Sequence, residues 1–232
     1  MPDDFDSRVA CIGALAEPVR RQLYRYVAAQ PEPVGRDQVA AETGVPRHVV
    51  KFHLDRLADE GLLDVEFRRL SGRQGPGAGR PAKLYRRAAR EVSVTLPERR
   101  YDLAGEILAD AVEEATRAGG SVREAVARSA AAAGRRLGTR ARVEGDLDTD
   151  APPLDSLAGV LASCGYEPRV QADRLVLANC PFHALAARHL ELVCGMNLDL
   201  VAALTEELGH TDVDVRLDPG PDRCCVVLAR RS

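Results

Sequence analysis

Between Gly35 and Leu63 the chain reads GRDQVAAETGVPRHVVKFHLDRLADEGLL. Two segments with apolar residues at helical spacing are separated by a few turn residues, and that punctuation leaves little freedom in how they fold. Gly44 closes the first segment as a helix C-cap, Pro46 suits the start of the next helix, and Gly61 ends it. Val50, Leu54 and Leu57 fall on one face of the second segment with Val49 beside them, while Arg47, His48, Lys51 and Arg56 fall largely on the other. A short helix, a tight turn and a second helix with one basic face predict a helix-turn-helix. Upstream, Val9, Ile12, Leu15, Ala16, Val19, Leu23 and Val27 recur at helical spacing. Pro18 interrupts them, so the helix restarts there with Pro18 in its first turn.

The segment that follows predicts a wing. LLDVEFRRL has strand character, YRRA returns antiparallel to it, and SGRQGPGAGRPAK lies between them. Glycines let such a loop lie against a sugar-phosphate backbone, and Arg73, Arg80 and Lys83 would neutralise phosphates. Arg80 is also placed to probe a narrow minor groove. Arg47 and Lys51 are the expected major-groove or phosphate contacts, and His48 stands either in the groove or at its rim. The charge distribution agrees: Arg68–Arg90 holds eight basic residues and no acidic one, and residues 1–90 carry 16 basic against 12 acidic side chains. Residues 143–232 carry 7 against 15. The front of the molecule suits a polyanion, double-stranded operator DNA, and the back does not.

Residues 98–141 predict two helices broken at Gly119-Gly120. Leu103, Ile107, Leu108, Ala111 and Val112 stripe the first, and Val122, Ala125, Val126 and Ser129 begin a face on the second. This region is expected to link two domains and to pair two copies, because a palindromic operator is read by a two-fold symmetric homodimer. VEGDLDTDAPP then forms an acidic connection.

The last quarter raises a question of chemistry. The start of the chain lacks a signal-peptide pattern and no apolar run reaches membrane-spanning length, so a cytoplasmic protein is expected. Thiols stay reduced in that compartment, yet four of the six cysteines lie after residue 179. PLDSLAGVLASCGYEPRV predicts a helix leading into a strand, and DRLVLANCPF a second strand with Cys180 just past its end. HALAARHLELVCGMNLDLVAALTEELG predicts two helices meeting around Cys194-Gly195, and TDVDVRLDP and RCCVVLAR two closing strands. Alternation along a strand would let only one of Cys224 and Cys225 join a group with Cys180 and Cys194. Three thiolates from dispersed elements suit an iron–sulfur cluster or a zinc ion. The close CxxC pairs of zinc ribbons are missing, which favours the cluster. Cys11 and Cys164 read as small core residues, His53 as structural or a phosphate contact, and His189 and His210 as surface or capping residues. No CxxC, phosphate-binding glycine loop or Ser/His/Asp constellation supports an enzyme.

ALAEPVRRQLYRYV, VAAETGVPRHVVKFHLDRLADEGLL and GRPAKLYR resemble the winged-helix domain of ArsR-like bacterial regulators. With NCPFH, LVCGM and CCV, the whole chain resembles the SufR-type repressors of iron–sulfur cluster assembly operons. The resemblance implies that Cys180, Cys194 and Cys224 hold a [4Fe–4S] cluster, with His183, Cys225 or an outside small molecule as fourth ligand. It implies further that the cluster-loaded dimer represses suf genes and that cluster loss releases DNA. The expected architecture is α+β with three regions: a winged helix-turn-helix over residues 1–92, a helical linker and dimerisation region over 93–150, and a small α+β sensor domain over 151–232.

Overall fold

The computed structural model describes residues 5–69, 81–145 and 151–231. Among them the chain divides into two compact units, Met1–Val94 and Thr95–Ser232.

The first unit begins with α1 (Phe5–Ala14) and α2 (Pro18–Ala28). The helix restarts at Pro18 as the sequence implies, and the carboxylate of Glu17 caps α2 by accepting from the backbone N–H groups of Val19 at 3.1 Å and Arg20 at 2.5 Å. A two-residue strand, β1 (Val34–Gly35), leads into α3 (Arg36–Thr43), which Gly44 closes at φ 70°. The second helix of the motif is α4 (Arg47–Asp59), preceded by Pro46 and followed by Gly61 at φ 72°. β2 (Leu63–Arg68) and β3 (Ala82–Arg87) pair antiparallel, with Val65 opposite Tyr85 and Phe67 opposite Lys83. The sheet order is β1-β3-β2. Strand β1 was not foreseen, because two residues are too few to display an alternating pattern.

The core of this unit gathers Leu23, Val27, Val39, Val50, Leu54, Leu57, Leu63 and Tyr85. Cys11 belongs to it, as expected, and its thiol donates to the Glu60 carbonyl at 3.0 Å. Asp55 ties the wing strands to α4: its carboxylate accepts from Lys83 Nζ at 2.5 Å and Tyr85 Oη at 2.7 Å. Burial by itself would raise the Asp55 pKa, but these two hydrogen bonds outweigh it and hold the carboxyl below its usual value. The same bond, together with burial, raises the Tyr85 hydroxyl well above its ordinary range.

The second unit contains α5 (Tyr101–Ala118), α6 (Val122–Glu144), α7 (Pro153–Ser163), β4 (Pro168–Gln171), β5 (Arg174–Leu177), α8 (His183–Ala186), α9 (Leu190–Glu207), β6 (Val213–Leu217) and β7 (Val226–Arg230). Its antiparallel sheet runs β4-β5-β7-β6. Leu157 and Leu161 of α7, Leu175 and Leu177 of β5, Val201 and Leu204 of α9, and Val226 and Leu228 of β7 form one buried cluster. Ile107 of α5, Ala130 and Ala133 of α6, and Met196 and Leu200 of α9 form another, with Phe182 buried among them. The break at Gly119-Gly120 falls where the sequence put it, and Ser121 caps α6.

Three expectations change here. The stretch read as a linker and pairing surface packs within its own unit: Leu103, Ile107 and Ala111 meet Ala125, Val126 and Ala130, and α6 lies along α9. Val112 and Val122 of the expected stripes stay exposed. The close approach of α6 to α9 depends on Gly134 and Gly138, since a methyl at Gly134 would run into the Leu200 carbonyl and reach within 3.0 Å of the Leu204 nitrogen. Nor does Cys194-Gly195 mark a junction between helices. α9 runs through both residues because Val193, Met196, Asn197 and Leu200 are all buried along it, and the break lies earlier, between α8 and α9. Finally, β7 starts at Val226, so Cys224 and Cys225 precede the strand.

Gly134→Ala should therefore destabilise the protein by about 1–3 kcal/mol through overpacking. Gly105→Ala, on the exposed side of α5 with open space around it, should raise stability by up to about 1 kcal/mol. Thermal melts of the two variants decide this, and equal melting temperatures would contradict it. A second outcome concerns pH. Because the Asp55 pKa is lower folded than unfolded, its contribution is full above the usual carboxylate range, ~3.9. It disappears as pH falls through the depressed value. Asp55→Asn should flatten that acid-side loss in urea melts taken from neutral pH down to below about pH 4.

Candidate functional site

The outward face of α4 collects the residues expected to meet DNA. Arg47, His48, Lys51, Phe52 and Arg56 are all exposed on it. Arg47 is not free of the protein: its guanidinium holds Asp37 of α3 through Nε at 2.5 Å and Nη2 at 2.8 Å. That pair links the two helices of the motif and orients Arg47 at the start of α4. Lys83 is more firmly engaged. Its ammonium is bound by Asp55 and lies 5.2 Å from the centre of the Tyr85 ring, so it braces the wing against α4. Arg73 and Arg80 lie outside the described residues. His53 points back to the body of the unit, where its Nε2 approaches Glu17 Oε2 at 3.7 Å, which fits the structural one of the two roles expected for it.

Phe52 was missed. Sequence reading assigns a phenylalanine to the core by default, but Phe52 falls between the buried positions Val50 and Leu54 and is 66% exposed. The departure from the Val50, Leu54, Leu57 spacing was the signal that could have found it.

In the second unit, three separate segments bring four thiols together. Cys180 follows β5, Cys194 lies in the second turn of α9, and Cys224-Cys225 precede β7. The Cys224 N–H donates to the Leu177 carbonyl at 2.8 Å, fixing it beside the end of β5 and so beside Cys180. The Cys225 carbonyl accepts from the Asp218 N–H at 2.7 Å. The Cys180 and Cys224 thiols interact directly, as do those of Cys224 and Cys225 and those of Cys194 and Cys225. Both residues of the Cys-Cys pair thus join the group. The expectation that only one could do so assumed strand alternation, and neither residue is in the strand. None of the six cysteines forms a disulfide, and Cys164 is buried in the core as expected.

Arg99 and Asn179 fix the backbone around Cys180. The Arg99 guanidinium donates to the Cys180 carbonyl at 2.8 Å and to the Asn179 side-chain oxygen. The Asn179 amide donates in turn to the carbonyls of Gly165 at 2.8 Å and Glu98 at 3.0 Å. Beneath the thiols, the buried Asn197 amide donates to Cys224 Sγ at 3.2 Å, and its own oxygen accepts from the Tyr166 hydroxyl. Three residues along α9 from Cys194, Asn197 shares its face. His183 opens α8 as an exposed residue.

The surroundings of Cys180, Cys194 and Cys224 favour the protonated thiol. Hydrogen bonding to Cys224, with burial, pushes the Cys180 thiol far above its usual value. Burial raises Cys194. At Cys224 the bond with Cys180 acts downward, but the contact with Cys225 and burial together push it up to about 11. No three His, Cys, Asp or Glu side chains among the described residues are arranged to hold a metal ion. Four sulfurs from three segments nevertheless make a soft donor set, the chemistry that iron–sulfur clusters and zinc require, and binding would need the thiols to rearrange and lose their protons.

No helix among the described residues is long and apolar enough to cross a membrane. No curated protein matches the chain. Residues 15–66 match the family model described as a helix-turn-helix domain. That segment spans α2 through most of β2, the elements that carry Arg47, His48, Lys51 and Phe52. The match supports an ArsR-like winged-helix regulator, a protein that binds DNA to control transcription.

Proposed function

We propose that the chain is a homodimeric repressor that reports iron–sulfur cluster status through a [4Fe–4S] site at its C-terminal cysteines and controls the genes of cluster assembly, as the SufR-type resemblance implies. The observation that carries this reading is the meeting of Cys180, Cys194, Cys224 and Cys225, which come from segments up to 45 residues apart in the chain. Small buried cysteines that only fill a core have no reason to gather at one point, whereas soft ligands do. Cys180, Cys194 and Cys224 would be the ligands common to the resemblance. Cys225 is better placed than His183 to be the fourth, since its thiol already touches two of the others while His183 is exposed.

When bound, the cluster supplies a centre that oxidants or iron shortage can remove. The protein's own residues do the rest. Arg99 and Asn179 hold the backbone at Cys180, and Asn197 directs an N–H at the Cys224 sulfur. The presence or absence of the group then biases the two-fold arrangement of recognition helices, and a coupling of about 1–3 kcal/mol is enough for a switch. In the DNA-bound state, Lys51 and Arg47 would meet phosphates or base edges, with His48 beside them.

A zinc- or other metal-responsive regulator is the second reading, favoured by the same fourth thiol, because four cysteines complete a tetrahedral zinc site without an outside ligand.

Anaerobic reconstitution followed by visible absorption and metal analysis distinguishes the two. The first reading expects a brown protein with about four iron and four sulfide per chain. Cys180→Ser should lose the colour while His183→Ala keeps it. A colourless protein with one zinc per chain would replace the cluster by the metal site. For DNA, Lys51→Ala should weaken binding and reduce the slope of log affinity against log salt by about 1. An unchanged slope in a fluorescence-anisotropy titration would remove Lys51 from the interface.

A further inference from the structure

We infer that Phe52 reads the 5-methyl group of a thymine in the major groove, so that sequence choice rests on an apolar contact as well as on the basic side chains. The inference rests on the DNA-binding reading of the first unit.

The position of the ring is the first reason. Counting from Arg47, the exposed side chains at the front of α4 are its first, second, fifth and sixth residues: Arg47, His48, Lys51 and Phe52. These lie together on the N-terminal half of the recognition helix, the region that meets base edges in a helix-turn-helix. Phe52 is the apolar member of that group, and it is 66% exposed. A large ring left in water forfeits the benefit of burial, which a partner can restore.

The surroundings select the partner. Arg20, His48, Lys51 and Arg56 line the same shallow surface as Phe52, together with Asp55 and Asp59. Asp55 is satisfied by Lys83 and Tyr85, and Asp59 is the last residue of α4, away from its N-terminal half. A ring framed by cations fits a surface that is anionic at its rim and carries apolar groups within. The DNA major groove is such a surface: phosphates flank it, and the thymine methyl is the apolar group that its base pairs present.

The ring is also held. It packs edge-on against the His53 ring, with centroids 5.3 Å apart at 67°. His53 in turn lies 3.7 Å from Glu17, the residue that caps α2. An aromatic braced in this way loses little freedom when it docks. Phe52 is therefore the specificity residue, and His53 and Glu17 are positioning residues behind it.

The test uses the full chain, prepared anaerobically, and duplexes that it selects from a library with a randomised core. Each selected thymine is then replaced by deoxyuridine, which removes only the methyl. The expected result is one thymine per half-site whose replacement weakens wild-type binding about fourfold, the value of burying one methyl-sized group. Phe52→Ala should bind the thymine and deoxyuridine duplexes equally, and Phe52→Leu should keep some of the preference. Since the residue is exposed, both variants should melt like the wild type. Equal wild-type binding to every thymine and deoxyuridine pair would overturn the assignment, as would a Phe52→Ala variant that still discriminates. If Phe52→Ala keeps its DNA preference but changes oligomeric mass in light scattering, the ring serves contact between two copies and the assignment is also wrong. A wild-type chain that selects no duplex would sink the DNA reading itself, a failure distinct from indifference to the methyl.

Discussion

The second unit depends on a close approach between two helices. With only hydrogen at Gly134 and Gly138, α6 can lie against the backbone of α9, and the small residues Ala130, Ala133 and Ala141 continue that buried face. α9 is thereby fixed on one side by α6 while its other contacts reach β6 and β7. That placement turns Cys194 and Asn197 toward the segments that end β5 and begin β7. Bulkier residues on α6 would force α9 outward and separate Cys194 from Cys225 without any change at a cysteine. The thiol group is thus set by packing some distance from it, as is usual where a site needs rigid support.

The thiol group itself is a balance of opposed effects. The hydrogen bond from Cys224, with burial, pushes the Cys180 thiol up. Burial raises Cys194 against the opposing bond with Cys225, and the contact with Cys225 and burial raise Cys224 against the opposing bond with Cys180, so the protonated form is preferred. A soft metal or cluster would reverse that preference, because its positive charge stabilises thiolates that the apolar surroundings otherwise disfavour. The Asn197 amide is already aimed at sulfur, and Tyr166 holds the amide oxygen from the other side. An N–H donor directed at sulfur gains strength when the sulfur carries charge. Metal loading in such an arrangement would be linked to proton release, which makes affinity fall in acid.

In the first unit the charged residues divide into two kinds. Lys83 and Arg47 look equivalent to Lys51 in the sequence, but they are partnered by Asp55 and Asp37. These pairs brace strand to helix and helix to helix. Lys51, His48 and Phe52 are displayed on the surface that this bracing holds in place. The basic balance of the front of the chain therefore mixes structural cations with displayed ones, and their formal charge does not separate them.

Local backbone rules determined the punctuation of the chain: the restart at Pro18, the closures at Gly44 and Gly61, the recognition helix, and the break at Gly119-Gly120. Each depends on the backbone preference of one or two residues and on a nearby apolar period, so no distant contact is needed to read it. Residue type and the expected compartment singled out Cys180, Cys194 and Cys224, and the fold brings them near one another. Tertiary structure decided the rest. β1 exists only because β3 offers it hydrogen bonds. α9 passes through Gly195 because burial on both sides outweighs the weak helix preference of glycine. Much of the helical stripe on α5 and α6 is buried within the unit, where α6 meets α9, nearly 70 residues further along the chain. Cys225 joins the other thiols because the strand starts two residues later than its own apolar run implies, at the point where pairing with β5 and β6 begins. Residue preferences act over a few positions, whereas these outcomes depend on which surface a segment meets, and only the folded chain supplies that surface.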